Sequence, residues 1–179
     1  MPVILQNYQR AVAIDQKWLG RTAEAILSAA REETTELSVV LVSDRRMRAL
    51  NHRYRKKDRS TDVLAFPMHK KSPLTLTLSL QGRGKENISS PPSGERTKVR
   101  GLKPSVLLGD VVISMQTAKR QAKELGHSLR KEVVRLLVHG ILHLLSYDHE
   151  RNVRAAAVMA RRERAILKTI GRRPLFVKR

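Results

Sequence analysis

The apolar residues of this chain form four short runs typical of strands, interleaved with and followed by stretches of helical spacing. This order is the feature that most constrains the fold. The strand runs are rich in Val, Ile and Leu and occupy residues 3–5, 36–43, 61–66 and 107–113. The helical stretches lie at about 14–31, after residue 44, from 114 to 126, from 128 to 144 and at about 153–170. We therefore predict an α+β fold: a single domain over residues 1–179, with a small mixed four-stranded sheet covered by helices and a mostly helical C-terminal half.

Residues that favour helix ends mark several boundaries of these elements. Asp44, Ser114 and Ser128 each precede a helical stretch and carry a side-chain oxygen that can accept a backbone N–H of the first turn. Gly126 follows the last helical residue of its segment, where glycine readily adopts the left-handed conformation. We predict N-caps at the first three positions and a helix C-terminus just before Gly126.

Residues 69–104 do not fit this pattern of strands and helices. Leu and Thr alternate at the start of the segment, and Gly, Ser, Pro and charged residues follow. Some 35 residues without a helix far exceed the usual connection inside a domain, which is about 4–6 residues. We interpret the segment as an insertion that is disordered or forms an extra loop.

The charge balance predicts an anionic partner. Lys and Arg number 36 against 16 Asp and Glu, which leaves a net charge of +20. Residues 45–59 carry eight basic and one acidic residue, residues 68–105 eight and two, and residues 150–179 ten and two. Such basic surfaces attract phosphate backbones without sequence specificity, and a solvated helix face is the alternative reading of any one run.

Composition also excludes several classes of site. The chain has no cysteine, which rules out disulfides, thiolate metal sites and cysteine nucleophiles. No apolar run approaches the roughly 18 residues of a membrane span, and the N-terminus lacks a signal-peptide pattern, so we expect a cytoplasmic protein without a membrane partner. With six aromatic residues in all, a stacking platform for single-stranded nucleic acid is not expected.

Three of the six histidines are concentrated in the motif HGILHLLSYDH, residues 139–149. His139 and His143 are four residues apart, so they share one face of a helix and can reach a single metal ion. His149 follows six residues later, after the helix ends. Three imidazoles leave a fourth position open on a tetrahedral zinc ion, as in catalytic zinc sites, although nickel, cobalt or copper would also accept them.

Two further observations limit this interpretation. Gly140 occupies the position at which a zincin-type peptidase carries its general-base glutamate, so peptide hydrolysis is disfavoured. His52, His69 and His127 lack neighbouring histidines, and we expect them to be ordinary surface or loop residues.

The histidine motif resembles that of the YbeY family, bacterial endoribonucleases that act in ribosomal RNA maturation. Two more blocks resemble the family in the same order: residues 51–67, apart from a short gap, and residues 108–113, with sequence LGDVVI. The resemblance extends from about residue 37 to 150, interrupted by the insertion.

The resemblance implies one zinc-type ion held by His139, His143 and His149, in a groove that accepts single-stranded RNA. It implies ribosomal RNA and the small ribosomal subunit as partners, a role in ribosome quality control, and Arg55 as an essential arginine. A guanidinium such as that of Arg55 can hold a phosphate bidentately. The alternative is a metal-stabilised ribosome-assembly or RNA-binding factor with little or no catalysis.

Two positions depart from the family pattern. Ser146 stands where the family generally has glycine, and if that position needs a positive φ, serine costs on the order of 1 kcal/mol. The last helix carries five arginines between residues 151 and 164, where relatives are usually acidic. Both changes leave the three histidines in place.

If the insertion does not pack on the domain, deleting residues 72–101 will leave folding intact. We expect the deletion variant to keep the far-UV circular dichroism and the melting temperature of the full chain. A large loss of thermal stability would show that the segment packs on the domain.

Overall fold

The computed structural model describes residues 3–32, 35–68, 106–147 and 153–171. Within these ranges the chain forms four strands and five helices: β1 (Val3–Asn7), α1 (Gln16–Ala30), β2 (Thr35–Val42), α2 (Asp44–Arg55), β3 (Val63–Pro67), β4 (Val106–Ser114), α3 (Met115–Glu124), α4 (Leu129–Leu144) and α5 (Val153–Gly171). These elements lie where the apolar pattern predicts them. The insertion predicted at 69–104 lies outside the described residues.

The strands form a mixed four-stranded sheet of order β1-β2-β4-β3, which confirms this part of the predicted fold. β1 pairs parallel to β2, and β2 pairs parallel to β4. β3 runs antiparallel to β4, with Ala65 opposite Val111. β3 is therefore an edge strand among the residues that the structure describes.

The two faces of the sheet are covered by different helices because alternate side chains of a strand point to opposite faces. One face packs on α1, α3, α4 and α5, and its fully buried strand residues are Leu37, Val39, Leu41, Val111 and Ile113. The other face packs on α2, and this smaller cluster comprises Val40, Val42, Met47, Leu50, Leu64 and Val112. Burying each such side chain contributes about 1.5–3 kcal/mol.

No helix in the described ranges is long and apolar enough to cross a membrane.

The N-terminus of α2 differs from the prediction. Ser43, not Asp44, is the N-cap, and its hydroxyl accepts the Arg46 N–H at 3.4 Å. Asp44 is the first helical residue, and its carboxylate accepts hydrogen bonds from Thr117 at 2.7 Å and Arg120 at 2.6 Å of α3. The sequence pattern does not distinguish the two residues, because a serine and an aspartate in succession both suit an N-cap. The contact of Asp44 with α3, which is distant in sequence, decides which of them caps α2.

Asp44 joins α2 to the start of α3. Ser114, at the N-cap position of α3 as predicted, donates its hydroxyl to Asp44 and makes no side-chain cap bond of its own. Burial raises the pKa of Asp44, but the hydrogen bonds from Ser114, Thr117 and Arg120 outweigh burial and hold the pKa below its usual value. The carboxylate is therefore ionised at neutral pH and ties the two helices together.

The remaining predicted helix ends are confirmed. Ser128 caps α4, and its hydroxyl accepts the Lys131 N–H at 3.2 Å. Gly126 follows α3 with a φ of +64°, the left-handed conformation that glycine adopts without strain.

Gly140 lets α4 approach the sheet closely. A Cβ atom at this position would lie 2.7 Å from Cγ1 of Val111 and 3.3 Å from Cγ2 of Val63. Both contacts are with valine side chains of neighbouring strands. Because valine is β-branched, these side chains have few alternative rotamers that would relieve the contact. A side chain of any size at position 140 would push α4 away from β3 and β4.

We predict that Gly140→Ala lowers the free energy of unfolding by about 1–3 kcal/mol, because overpacking against Val111 exceeds the gain in helix propensity. Gly20→Ala is the matched control. It too lies within a helix, but its added Cβ would meet the Leu5 δ-methyl group at 3.3 Å, which can rotate away. Urea unfolding of both variants tests this. A Gly140→Ala variant as stable as Gly20→Ala would contradict the packing argument.

Candidate active site

His139 and His143 point their rings at one another from successive turns of α4. Their Nε2 atoms lie 3.2 Å apart, and their ring centroids are 4.8 Å apart. Two nitrogens bound to one tetrahedral zinc ion at about 2.0–2.1 Å lie roughly 3.3 Å from each other. The separation of the two imidazole nitrogens therefore suits shared ligation of one ion.

The third predicted ligand, His149, lies outside the described residues. Within the ranges that the structure does describe, no group of three or more His, Cys, Asp or Glu side chains is placed to hold a metal ion. The structure thus brings together two of the three predicted ligands, and the complete three-histidine site stays a prediction.

The histidine pair faces a cavity of about 660 Å³ that follows the edge of β3. The end of α2 forms one wall, and α4 with the turn after it forms the opposite wall. The lining residues are Tyr54, Arg55, Thr61, Asp62, Val63, Leu64, Ala65, Phe66, Pro67, His139, Gly140, His143, Ser146 and Tyr147. Elements from both faces of the sheet meet here because β3 has no strand beyond it among the described residues.

Arg55 lines the same cavity as His139 and His143, although it lies more than 80 residues earlier in the chain. It is the last residue of α2 and is exposed. After it the chain turns at Lys56, whose φ is +57°. The side chain of buried Asn51 then donates to the carbonyl of Arg59 at 2.7 Å, which returns the chain toward β3.

An exposed ion pair closes the same turn. Arg48 donates to both carboxylate oxygens of Asp58, at 2.8 and 2.6 Å. The hydrogen bond from Arg48 holds the pKa of Asp58 below its usual value. This pair uses one arginine and the one aspartate of the basic segment 45–59.

Asp62 is an ionised carboxylate in the cavity wall that the sequence reasoning did not single out. Burial raises its pKa, but hydrogen bonds from Gln121 at 3.1 Å, the Val63 N–H at 2.9 Å and Thr61 at 3.1 Å lower it further than burial raises it. Its backbone carbonyl accepts the Ser114 N–H at 2.8 Å, which starts the pairing of β3 with β4. No sequence signal for this role existed beyond its place before a strand.

Three of the six aromatic residues of the chain line the cavity: Tyr54, Phe66 and Tyr147. Tyr54 and Phe66 contact each other edge to face, with ring centroids 5.0 Å apart and planes inclined by 63°. From composition, a chain with so few aromatic residues is not expected to form a stacking platform. That expectation assumes that the aromatic residues are scattered over the fold. The fold instead concentrates half of them in one place.

α4 ends in a Schellman motif immediately after His143. The Tyr147 N–H bonds to the Leu142 carbonyl and the Ser146 N–H to the His143 carbonyl, each at 3.0 Å. Ser146 has a φ of +66°, so the position does require the left-handed conformation that glycine favours. The strain expected at this serine is therefore present.

Of the other histidines, His52 is exposed as expected, and His69 lies outside the described residues. His127 lies in the loop between α3 and α4, as expected, but its side chain is only 14% exposed. Its Nε2 lies 3.1 Å from a carboxylate oxygen of Glu132, which is fully buried and also bound by Arg135. The sequence does not predict this contact, because a glutamate in the first turn of a helix is usually solvated.

Comparisons with known proteins find one family over most of the chain. The profile of the family described as "Endoribonuclease YbeY" matches residues 4–171. The endoribonuclease YbeY of Aquifex aeolicus is 45% identical over 83% of this chain and 78% of its own length. That of Pelotomaculum thermopropionicum is 39% identical over 93% of this chain and 95% of its own.

A solved structure supports the fold independently. The solution structure of TM1509 from Thermotoga maritima superposes with a TM-score of 0.55 and covers 94% of this chain and 89% of its own. The two sequences are 20% identical, so this likeness concerns the fold.

We predict that Ser146→Gly raises the free energy of unfolding by about 0.5–1 kcal/mol, because glycine adopts the left-handed conformation without strain. Part of this gain is offset by the greater conformational entropy of glycine in the unfolded chain. Ser146→Ala is the control, because alanine keeps the Cβ that causes the strain. Thermal unfolding of both variants tests this. Equal melting temperatures for the two variants would contradict it.

Proposed function

Because the chain belongs to the YbeY endoribonuclease family, we propose that it is a metal-dependent, single-strand-specific endoribonuclease. It would act in the cytoplasm in ribosomal RNA maturation and ribosome quality control. The observation that carries the proposal is the cavity at the β3 edge, which is lined by Arg55 and by two imidazoles whose Nε2 atoms lie 3.2 Å apart.

The metal of the proposal is a single zinc-type ion held by His139, His143 and the predicted third ligand His149. The separation of the first two nitrogens fits such an ion, and a donor set of neutral imidazoles suits zinc while also accepting nickel, cobalt or copper. When bound, an ion with an open position polarises a phosphoryl oxygen and lowers the pKa of bound water toward about 7.

The protein's own residues supply binding, orientation and partial exclusion of water. Arg55 carries a permanent charge in the cavity lining, where its guanidinium can hold a phosphodiester bidentately as negative charge develops. The apolar residues Val63, Leu64 and Ala65 line the same cavity and lower the local dielectric. An electrostatic contact is worth more in such surroundings than in water.

The Schellman motif after α4 orients the site. The Ser146 N–H donates to the His143 carbonyl, so the backbone turns sharply at Ser146, two residues after the last helical residue, Leu144. Ser146 and Tyr147, which form this turn, line the cavity. The left-handed residue thus supports the end of α4 that carries His143 and takes no part in the chemistry itself.

A second candidate is a metal-stabilised ribosome-assembly factor that binds the small ribosomal subunit with little or no catalysis. The net charge of +20 favours this candidate as much as the first, since charge alone produces binding to ribosomal RNA. A metallopeptidase is disfavoured further, because position 140 faces Val111 and Val63 of the sheet and has no room for a glutamate.

We predict that purified wild type cleaves a single-stranded ribosomal RNA fragment and that His143→Ala and Arg55→Glu each lower the rate by about 10²-fold or more. The first removes a metal ligand, and the second reverses the charge that holds the phosphate. Arg45→Glu is the matched control: it makes the same charge change on α2, at an exposed position outside the cavity. We expect it to lower the rate by less than about tenfold, through the long-range field.

The readout is cleavage of end-labelled RNA, with metal content measured on the same preparations. If both cavity variants cut RNA as fast as wild type, the enzyme proposal is wrong. If no variant cuts RNA while all bind the small ribosomal subunit, the assembly-factor candidate replaces it.

A further inference from the structure

We propose that Tyr54, Phe66 and the open edge of β3 at Ala65 form a subsite for one nucleobase of the bound RNA strand. The inference rests on the proposed function, since it assumes that the cavity takes single-stranded RNA, and it names which residues contact a base. The phosphate next to that base would lie toward Arg55 and the histidine pair.

The cavity has two unlike halves, divided by β3. Phe66 and Leu64 point to the face that packs on α2, whereas Val63 and Ala65 point to the face that packs on α4. Tyr54 and Phe66 therefore belong to the α2 half, and the histidines belong to the α4 half. A nucleotide that spans β3 can place its base in one half and its phosphate in the other.

The α2 half presents an aromatic surface of the kind that stacks on bases. Tyr54 is 40% exposed although its ring contacts that of Phe66 at 5.0 Å between centroids. The guanidinium of Arg53 lies over the Tyr54 ring, 5.6 Å from its centroid, and adds positive charge there. Aromatic side chains flanked by arginines are the common platform for bases in single-stranded nucleic acid.

The edge of β3 offers a hydrogen-bonding group for the edge of that base. Asp62 and Met68 are both bonded to β4, through Ser114 N–H to Asp62 carbonyl and Met68 N–H to Leu108 carbonyl. In an antiparallel pair the bonds alternate along the strand, so residues 64 and 66 also face β4, and residues 63, 65 and 67 direct their backbone groups away from it. The N–H and C=O of Ala65 thus point together into the cavity.

This edge favours a base over an added peptide strand. The Val63 N–H is already bonded to the Asp62 carboxylate at 2.9 Å, and Pro67 has no N–H. Of the outward-facing residues of β3 that the structure describes, Ala65 is therefore the one whose N–H can donate to a ligand. Adding a peptide strand needs a row of such groups, whereas a base needs one donor and one acceptor side by side.

The test compares two probes with the same backbone charge. One is a 2′-O-methyl oligouridine pentamer, and the other is the identical 2′-O-methyl sugar–phosphate pentamer without bases. Binding is measured by fluorescence anisotropy, and gel analysis confirms that each probe is intact. We expect wild type to bind the pentamer with bases about tenfold more tightly, as one stacked base provides.

Tyr54→Leu should reduce this ratio to about twofold or less while leaving the affinity for the base-free probe unchanged. Tyr8→Leu is the matched control. Tyr8 is also an exposed tyrosine with an arginine over its ring, Arg46 at 4.6 Å, but it lies outside the cavity. The control should keep the tenfold ratio. Melting temperatures of both variants verify folding.

A ratio near one for wild type, or a full tenfold ratio retained in Tyr54→Leu, would overturn the subsite. A bound peptide strand as the natural occupant would produce the first of these results. The outcome is separable from that of the cleavage assay: base-dependent binding through Tyr54 without cleavage refutes the enzyme proposal alone, and cleavage with no base dependence refutes the subsite alone.

Discussion

The contact of Gly140 with Val111 and Val63 sets the distance between α4 and the sheet, and the site depends on this distance. Because α4 has no side chain at that point, it lies directly against β3 and β4. The neighbouring residue His139, and His143 one turn later, then reach past the sheet edge into the cavity. A larger residue at position 140 would shift α4, and both imidazoles would move with it, away from Arg55. The packing of one glycine and the position of the two imidazoles are thus a single constraint.

Arg55 reaches the same cavity by an independent route. It is carried by α2, on the opposite face of the sheet, and α2 is held at its beginning by the ionised carboxylate of Asp44 bonded to α3. The Asn51 bond to the Arg59 carbonyl then returns the chain to β3. Two helices on opposite faces can meet at one place because β3 is the edge of the described sheet. The edge strand is what makes a cavity between them possible, and the outward-facing N–H and C=O of Ala65 become part of the lining.

Much of this could be predicted, and the failures have physical causes. The strands and helices followed from apolar spacing, and the pair His139 and His143 followed from helical geometry alone. Asp44 was mistaken for the N-cap because adjacent Ser43 has the same capping chemistry and only the contact with α3 distinguishes them. The aromatic residues were discounted because composition counts residues without regard to where they lie. Tyr54, Phe66 and Tyr147 are distant in sequence, and nothing in their spacing indicates that they share a cavity.

The sequence by itself determined the elements, their order and the spacing of the two helical histidines. These are local properties, governed by backbone conformation and side-chain periodicity over a few residues. The tertiary structure decided which distant residues meet: Arg55 with His139 and His143, Asp62 with Gln121, and Tyr54 with Phe66. The physical reason is that strand order and the side on which each helix packs arise from burial of the whole core. The edge position of β3, on which the cavity depends, is a property of that arrangement and of no single segment.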